Sequence, residues 1–300
     1  MITKVMPQKI LSLPYHLFKE LIMSNNAFPV VELLQNSTQH LKELVSRTNS
    51  DLLMERESNY LFQVIRDNHN DMFAKNSLQR AISSCDPYTV LNCVELGLEM
   101  GLSFNPTRDF LYLIPRFNKA LNGFECTLMV GYKGYKQLAA NSGCFSRIDT
   151  HLVYSNDDFQ YNGPDEKVSH RYNSFATNDR GELVGGYCMA KLKTKGMEGE
   201  YIVTVMTKDE LLAVEQQAVS NSTGFSVWNS KFKMQMYLKT LIRRAFKDWE
   251  YVIAEHSHQG NARQILDNVQ TLNDMEEKLV APEQSNAEMV LTEQRGEHCA

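Results

Sequence analysis

Lys239, Arg243 and Lys247 recur at every fourth position in WNSKFKMQMYLKTLIRRAFKDW, residues 228–249, and Arg244 lies beside them. The stretch carries six Lys and Arg side chains before its first acid, Asp248, although the whole chain has a formal charge of −5. At about 100° per residue, Met234, Leu238, Leu241, Ile242, Ala245, Phe246 and Trp249 fall within one arc of about 140°, and the cations fall opposite. Such a helix buries one face and offers a row of positive charge on the other. A solvated surface also presents cations, but it normally mixes signs, because like charges at i,i+4 repel. An unmixed row is relieved by an anionic partner, for which nucleic acid, anionic lipid and an acidic protein all qualify.

A second cluster narrows the choice. MVGYKGYKQLA places Lys133 and Lys136 among Tyr132 and Tyr135, with glycines that would let backbone approach a ligand. Cations interleaved with aromatic rings suit single-stranded nucleic acid, where cations follow phosphates and rings stack on bases. A core-facing tyrosine pair with surface lysines would produce the same pattern. AKLKTK alternates Lys191, Lys193 and Lys195, which on a strand share one face. Any half-exposed strand alternates in this way.

Motifs for bond-making chemistry are missing. The chain has no G-x-x-x-x-G-K-[ST] phosphate loop and no H-E-x-x-H, and His256 and His258 lie in a linker short of further ligands. PDEK at 164–167 matches part of a metal-dependent nuclease signature, but the spaced second acid and lysine do not follow. Asp157-Asp158 and Asp165-Glu166 read as turn acids. The expectation is a binding protein, with a metal-dependent nuclease as one alternative. A basic-helix protein that binds a membrane or a partner is the other.

The elements that must position these residues follow from the rest of the chain. Its 300 residues, 43% apolar and 22% charged, can build a real hydrophobic core. No apolar run approaches the ~20 residues that span a membrane, and no secretory leader is expected. Six scattered cysteines without a C-x-x-C pair read as free thiols in a reducing cytoplasm. Residues 255–300 hold nine acids against three bases, so the acidic balance belongs to the tail.

Helical spacing dominates to Met100, although PVVELLQNSTQHLKELV has a polar middle. In CDPYTVLNCVELGLEMG, Asp86-Pro87 is an N-cap with a first-turn proline and Gly101 a C-cap. DFLYLIPR and FECTLMVGY read as strands, with an Asn122-Gly123 turn between them. YKGYKQLAANSG reads as a short helix closed by Gly143. SRIDTHLVYSNDDF, KVSHRY, ELVGGYCMAKLKT and GEYIVTVM are further strands. Thr207 and Glu210 form a capping box that opens another helix. The predicted class is α+β: a curved, mostly antiparallel sheet flanked by helices and lining a basic groove. The expected divisions are an N-terminal helical segment at 1–56, a core at 57–250 and an acidic tail at 251–300. Within that tail Ile265, Val269, Leu272 and Leu279 form a helical seam, for the body or for a partner, and the last twenty residues read as disordered.

LGLEMGLSFNPTRDFLYLIPR, LMVGYKGYKQLAANSG, VMTKDEL and the W-x(3)-F-x-M-x(4)-KT-x-IRR-x-x-K pattern, in that order, resemble the RecT family of phage and prophage single-strand annealing proteins. The resemblance runs from about Tyr60 to Asp248. It implies ATP-independent binding of single-stranded DNA and annealing of complementary strands in homologous recombination, by an oligomeric ring or helical filament that also holds the annealed duplex. The implied partners are a 5′-to-3′ exonuclease and the host single-strand-binding protein, in the cytoplasm of a bacterial host and at the nucleoid when on DNA. No cofactor is implied, magnesium entering only as a modulator of DNA binding. Annealing breaks no covalent bond, so missing catalytic motifs accord with it, and base pairing itself supplies specificity. The expected backbone contacts are Lys239, Arg243, Arg244 and Lys247, with Lys133 and Lys191 on an opposing sheet side. Tyr132 or Tyr135 would stack on bases, and Asn105 with Pro106 would shape the rim.

Overall fold

The computed structural model describes residues 29–48, 51–119, 122–175, 179–220, 227–229, 232–257 and 262–280. The expectations for residues 1–28, for Cys299 and for the last twenty residues lie outside the described residues. The chain is α+β, with antiparallel sheets flanked by helices. It divides into two compact units that interleave along the sequence. The first comprises Met1–Arg147, Lys191–Gly199 and Trp249–Asn268, the second Ile148–Ala190, Glu200–Asp248 and Val269–Ala300.

The first unit opens with helices α1 (Pro29–Asn36) and α2 (Thr38–Arg47). They part at the polar QNST, where the Thr38 hydroxyl donates to Gln35 O at 2.7 Å, a local bond that competes with helix continuation. Helix α3 (Met54–Ala74) follows, then α4 (Pro87–Glu99). Asp86 caps α4 as its sequence predicts, accepting from the N–H groups of Tyr88 and Thr89 at 2.9 and 3.1 Å. Strands β1 (Leu111–Asn118) and β2 (Gly123–Val130) form an antiparallel hairpin, and Asn122 at φ 47° takes the left-handed turn conformation. Cys93 and Cys126 are free and buried where α4 meets β2, and burial pushes the Cys85 thiol up to about 12, which disfavours its thiolate. Helix α5 (Tyr132–Ser142) ends at Gly143, whose φ of 78° supplies the predicted left-handed cap.

The second unit is built on β3 (Phe145–Tyr154), β6 (Leu183–Leu192) and β7 (Tyr201–Thr207), with β6 central. Bonds from Ser155 N to Glu182 O and from Lys193 N to Cys144 O bracket β3 and β6 in antiparallel order. Strands β4 (Asp158–Gln160) and β5 (Ser169–Arg171) pair separately. The described strands therefore form sheets of two, three and two strands. Helix α6 (Lys208–Ser220) starts with the predicted capping box, Thr207 N–H donating to Glu210 Oε2 at 2.9 Å and Glu210 N–H to the Thr207 hydroxyl at 3.3 Å.

Helix α7 (Lys233–His256) packs Tyr237 and Leu241 with Leu152, Met206, Leu211 and Trp228. A separate cluster joins Val168 and Phe159 of the β4–β5 region to Val153, Tyr187, Met189 and Val203. Gly186 lies under α7, where an added Cβ would come within 2.5 Å of Leu241. In α8 (Ala262–Val280), Ile265, Val269 and Leu272 are buried, so this part of the expected seam belongs to the body.

Candidate nucleic-acid interface

The nine expected contact residues divide between the units: Asn105, Tyr132, Lys133, Tyr135 and Lys191 in the first, Lys239, Arg243, Arg244 and Lys247 in the second.

On α7 the buried residues run from Tyr237 through Leu241, Ile242, Ala245 and Phe246 to Trp249, Val252 and Ile253. This stripe covers about 180° of the helix, wider than the ~140° read from the sequence. Lys239 lies at its edge and is only 8% exposed, which corrects its expected place on a solvent row. A lysine at such an edge buries its aliphatic stem while its ammonium reaches outward. Met234, expected inside, is exposed, because the first turn of α7 extends past the core; its Sδ meets the Tyr154 hydroxyl at 3.9 Å. Arg243 is half-buried and Lys247 exposed. Arg244 is exposed, with the Glu210 carboxylate 3.6 Å away. The outward charge is therefore carried mainly by Arg244 and Lys247, with Arg243 at the margin.

In the first unit the LSFNPT segment is held from beneath. Glu57, 3% exposed, accepts the Ser103 hydroxyl at 2.7 Å and the Phe104 N–H at 2.8 Å. Burial raises the Glu57 carboxyl above its ordinary range, against the lowering effect of those two bonds and of the Arg108 charge. Asn105 Oδ1 accepts from the Thr107 N–H and hydroxyl at 3.0 and 2.8 Å, so its amide oxygen shapes the turn. Beyond it the exposed Arg108 stands 5.7 Å from the Phe110 ring, and Asp109 adopts φ 57°.

The GYKG motif forms the start of α5. An added Cβ would come within 2.4 Å of Asp109 O at Gly131 and of Phe110 O at Gly134. These glycines admit the neighbouring backbone of the protein, not a ligand. Tyr135 is 1% exposed and belongs to the core, so it cannot stack on a base; Tyr132 is half-exposed and can. Lys133 lies on a helix, not a sheet side, and its Nζ donates to Asp109 Oδ2 at 2.7 Å. That bond holds the Lys133 ammonium above its usual range. Burial, together with the nearby Asp109 carboxylate, pushes the Tyr112 phenol up to about 12. Lys191 is half-buried near the end of β6, and Lys193 and Lys195 are exposed beyond it, with Thr194 buried between them.

Sequence reading missed two features. Arg108 sits in a loop without periodicity, and only its place in the SFNPTRD segment marks it. Phe117 is 53% exposed on β1, opposite Phe124 across the hairpin with ring centroids 5.4 Å apart. Alternation along a strand cannot show that an aromatic ring is left uncovered at a hairpin end.

Of the acids weighed for a nuclease, Asp157 is committed to a structural role. Both Asp157 oxygens are occupied by Arg180, at 2.9 and 2.6 Å, and by His170 Nε2 and the Tyr154 N–H. His170 Nδ1 continues to the Tyr187 hydroxyl at 3.3 Å, but Tyr187 is buried, so this chain of polar groups ends in the core. Among the described residues no group of three His, Cys, Asp or Glu side chains could hold a metal ion, and no helix is long and apolar enough to cross a membrane.

A family model described as the RecT family matches residues 61–278. A curated relative, Protein RecT of Escherichia coli (strain K12), is 30% identical over 174 residues. That similarity covers 56% of this chain and 60% of the relative.

Proposed function

This chain belongs to the RecT family, and from that membership we propose that it binds single-stranded DNA and anneals complementary strands without ATP. The observation that carries the reading is the family match over 61–278, a span that includes both Lys133 and the α7 cations. Arg244, Lys247, Arg243 and Lys191 contact phosphates, with Lys133 and Arg108 doing so from the α5 side of the first unit. Such contacts screen the repulsion between two backbones and read no sequence, which leaves base edges free to pair. The exposed Phe117 and the half-exposed Tyr132 are rings suited to stacking. The protein works as a homo-oligomer on DNA and holds the new duplex, beside a 5′-to-3′ exonuclease that exposes strands and the host single-strand-binding protein that coats them. Magnesium modulates binding without entering a chemical step.

The test mixes purified protein with two complementary oligonucleotides, one after the other and without ATP, and follows duplex formation by fluorescence. Accelerated pairing that salt suppresses and a non-complementary strand abolishes is the expected result. DNA binding without faster pairing would make this a coating protein, and no binding would overturn the reading. Release of labelled fragments with magnesium present would favour the nuclease alternative.

A further inference from the structure

We propose that Asp109 is a built-in anion that occupies Lys133 in the free protein and yields it to a nucleic-acid phosphate. The proposal rests on the single-strand-binding reading above and assigns it a site. Asp109 and Lys133 meet at 2.7 Å, yet their side chains are 43% and 42% exposed, so a phosphate can reach the pair from solvent. A carboxylate and a phosphodiester offer similar acceptor oxygens to an ammonium. The exposed Arg108, next along the chain, adds a further cation to this surface.

The position of the carboxylate is imposed by the backbone. Asp109 sits at φ 57°, a conformation rare outside glycine and best tolerated by Asn and Asp. The loop before it is fixed by Glu57 and by the Asn105 turn. The residue after it is fixed by the bond from Gly131 N to Phe110 O at 2.8 Å. Asp109 is thus placed opposite Lys133 by a hydrogen-bonded loop, while the pair itself stays exposed and weak enough to exchange. A small anion that meets one cation must displace Asp109 alone. A DNA strand engages several cations at once and takes Lys133 as one of many contacts. The arrangement favours polyanions over single phosphates.

Titrating a labelled polythymidylate oligonucleotide with the full chain, in moderate salt, tests this by fluorescence anisotropy. Asp109→Asn removes the charge while suiting the positive φ, and should bind about two- to fivefold tighter than wild type. Lys133→Gln should bind more weakly. In the double variant the Asp109→Asn gain should vanish, because the released cation is gone. If Asp109→Asn lowers the melting temperature, Asp109→Gly, which also accepts positive φ, must show the same gain. Equal or weaker binding by both folded Asp109 variants overturns the proposal and leaves the binding reading intact. A gain that persists without Lys133 overturns it as well. Failure of the wild type to bind the oligonucleotide overturns the proposal and the binding reading together.

Discussion

His170 Nε2 lies 3.0 Å from Asp157 Oδ2, and the two side chains are 3% and 1% exposed. Arg180 completes the cluster from the other side, its guanidinium 4.4 Å from the Tyr154 ring and 3.9 Å from the Tyr172 ring. The DD pair at 157–158 therefore contributes a structural hub on its first member, where a sequence search for acids sees only two adjacent carboxylates.

Burial alone would raise the Asp157 carboxyl, but bonds from Arg180, His170 and the Tyr154 N–H, with the Arg180 charge, hold it well below the usual carboxylate range. A folded-state pKa below the unfolded value gives stability that is present above the unfolded pKa and lost as pH falls through the folded one. Asp157→Ala should cost about 3–5 kcal/mol near neutral pH, since it leaves Arg180 without its buried partner. In urea titrations the difference from wild type should stay constant from neutral pH to about 5 and shrink below about pH 4. A difference that does not change with pH would mean the carboxylate acts by shape and not by charge.

Arg243, Arg244 and Lys247 should behave differently from Lys239. Single alanine variants of the first three should weaken binding to single strands, change the melting temperature little, and each flatten the slope of log affinity against log salt by roughly 0.7. Lys239→Ala removes a buried stem, so its first effect should be a lower melting temperature. If Arg244→Ala is instead the variant that unfolds, its contact with Glu210 is structural and the outward row is shorter than proposed.

The paired tyrosines separate two explanations for one motif. Tyr135→Ala should destabilise the fold by about 3–5 kcal/mol, as removal of a buried ring does. Tyr132→Ala should leave melting unchanged and cost about 1–3 kcal/mol in binding to single strands if its ring stacks on a base. Unchanged affinity in the second variant would remove Tyr132 from the interface.

Local signals along this chain proved legible wherever short-range chemistry decides the structure. Asp86 with Pro87, Thr207 with Glu210, and Gly143 each act on neighbours within four residues, and each was found where the sequence placed it. The strand segments were legible for the same reason, because alternation and turn residues are local. What sequence left open depends on partners distant in the chain. Lys239 lost its exposure because it lies only about 20° around the helix from Phe246, at the margin of the buried stripe of α7. Glu57 became a loop anchor through residues 46 and 47 positions away. The division into interleaved units depends on packing, and no composition shift marks its boundaries at Arg147, Lys191 and Asp248.

Gly134 separates two uses of a missing side chain, room for a ligand and room for the protein's own backbone. An added methyl group would meet Phe110 O at 2.4 Å and Val130 Cγ1 at 2.8 Å. The nearer atom is backbone, held by its bond from Gly131, so it cannot swing aside as a flexible side chain would. Gly134→Ala should therefore shift α5 away from the 109–110 segment and destabilise the protein by about 1–3 kcal/mol, as overpacking does elsewhere. Thermal or urea unfolding measures that cost directly. Affinity for single-stranded DNA, taken per folded molecule, should fall only as far as Lys133 and Tyr132 are displaced with the helix. A variant that keeps its melting temperature but loses DNA binding would return this glycine to the ligand and overturn the packing account.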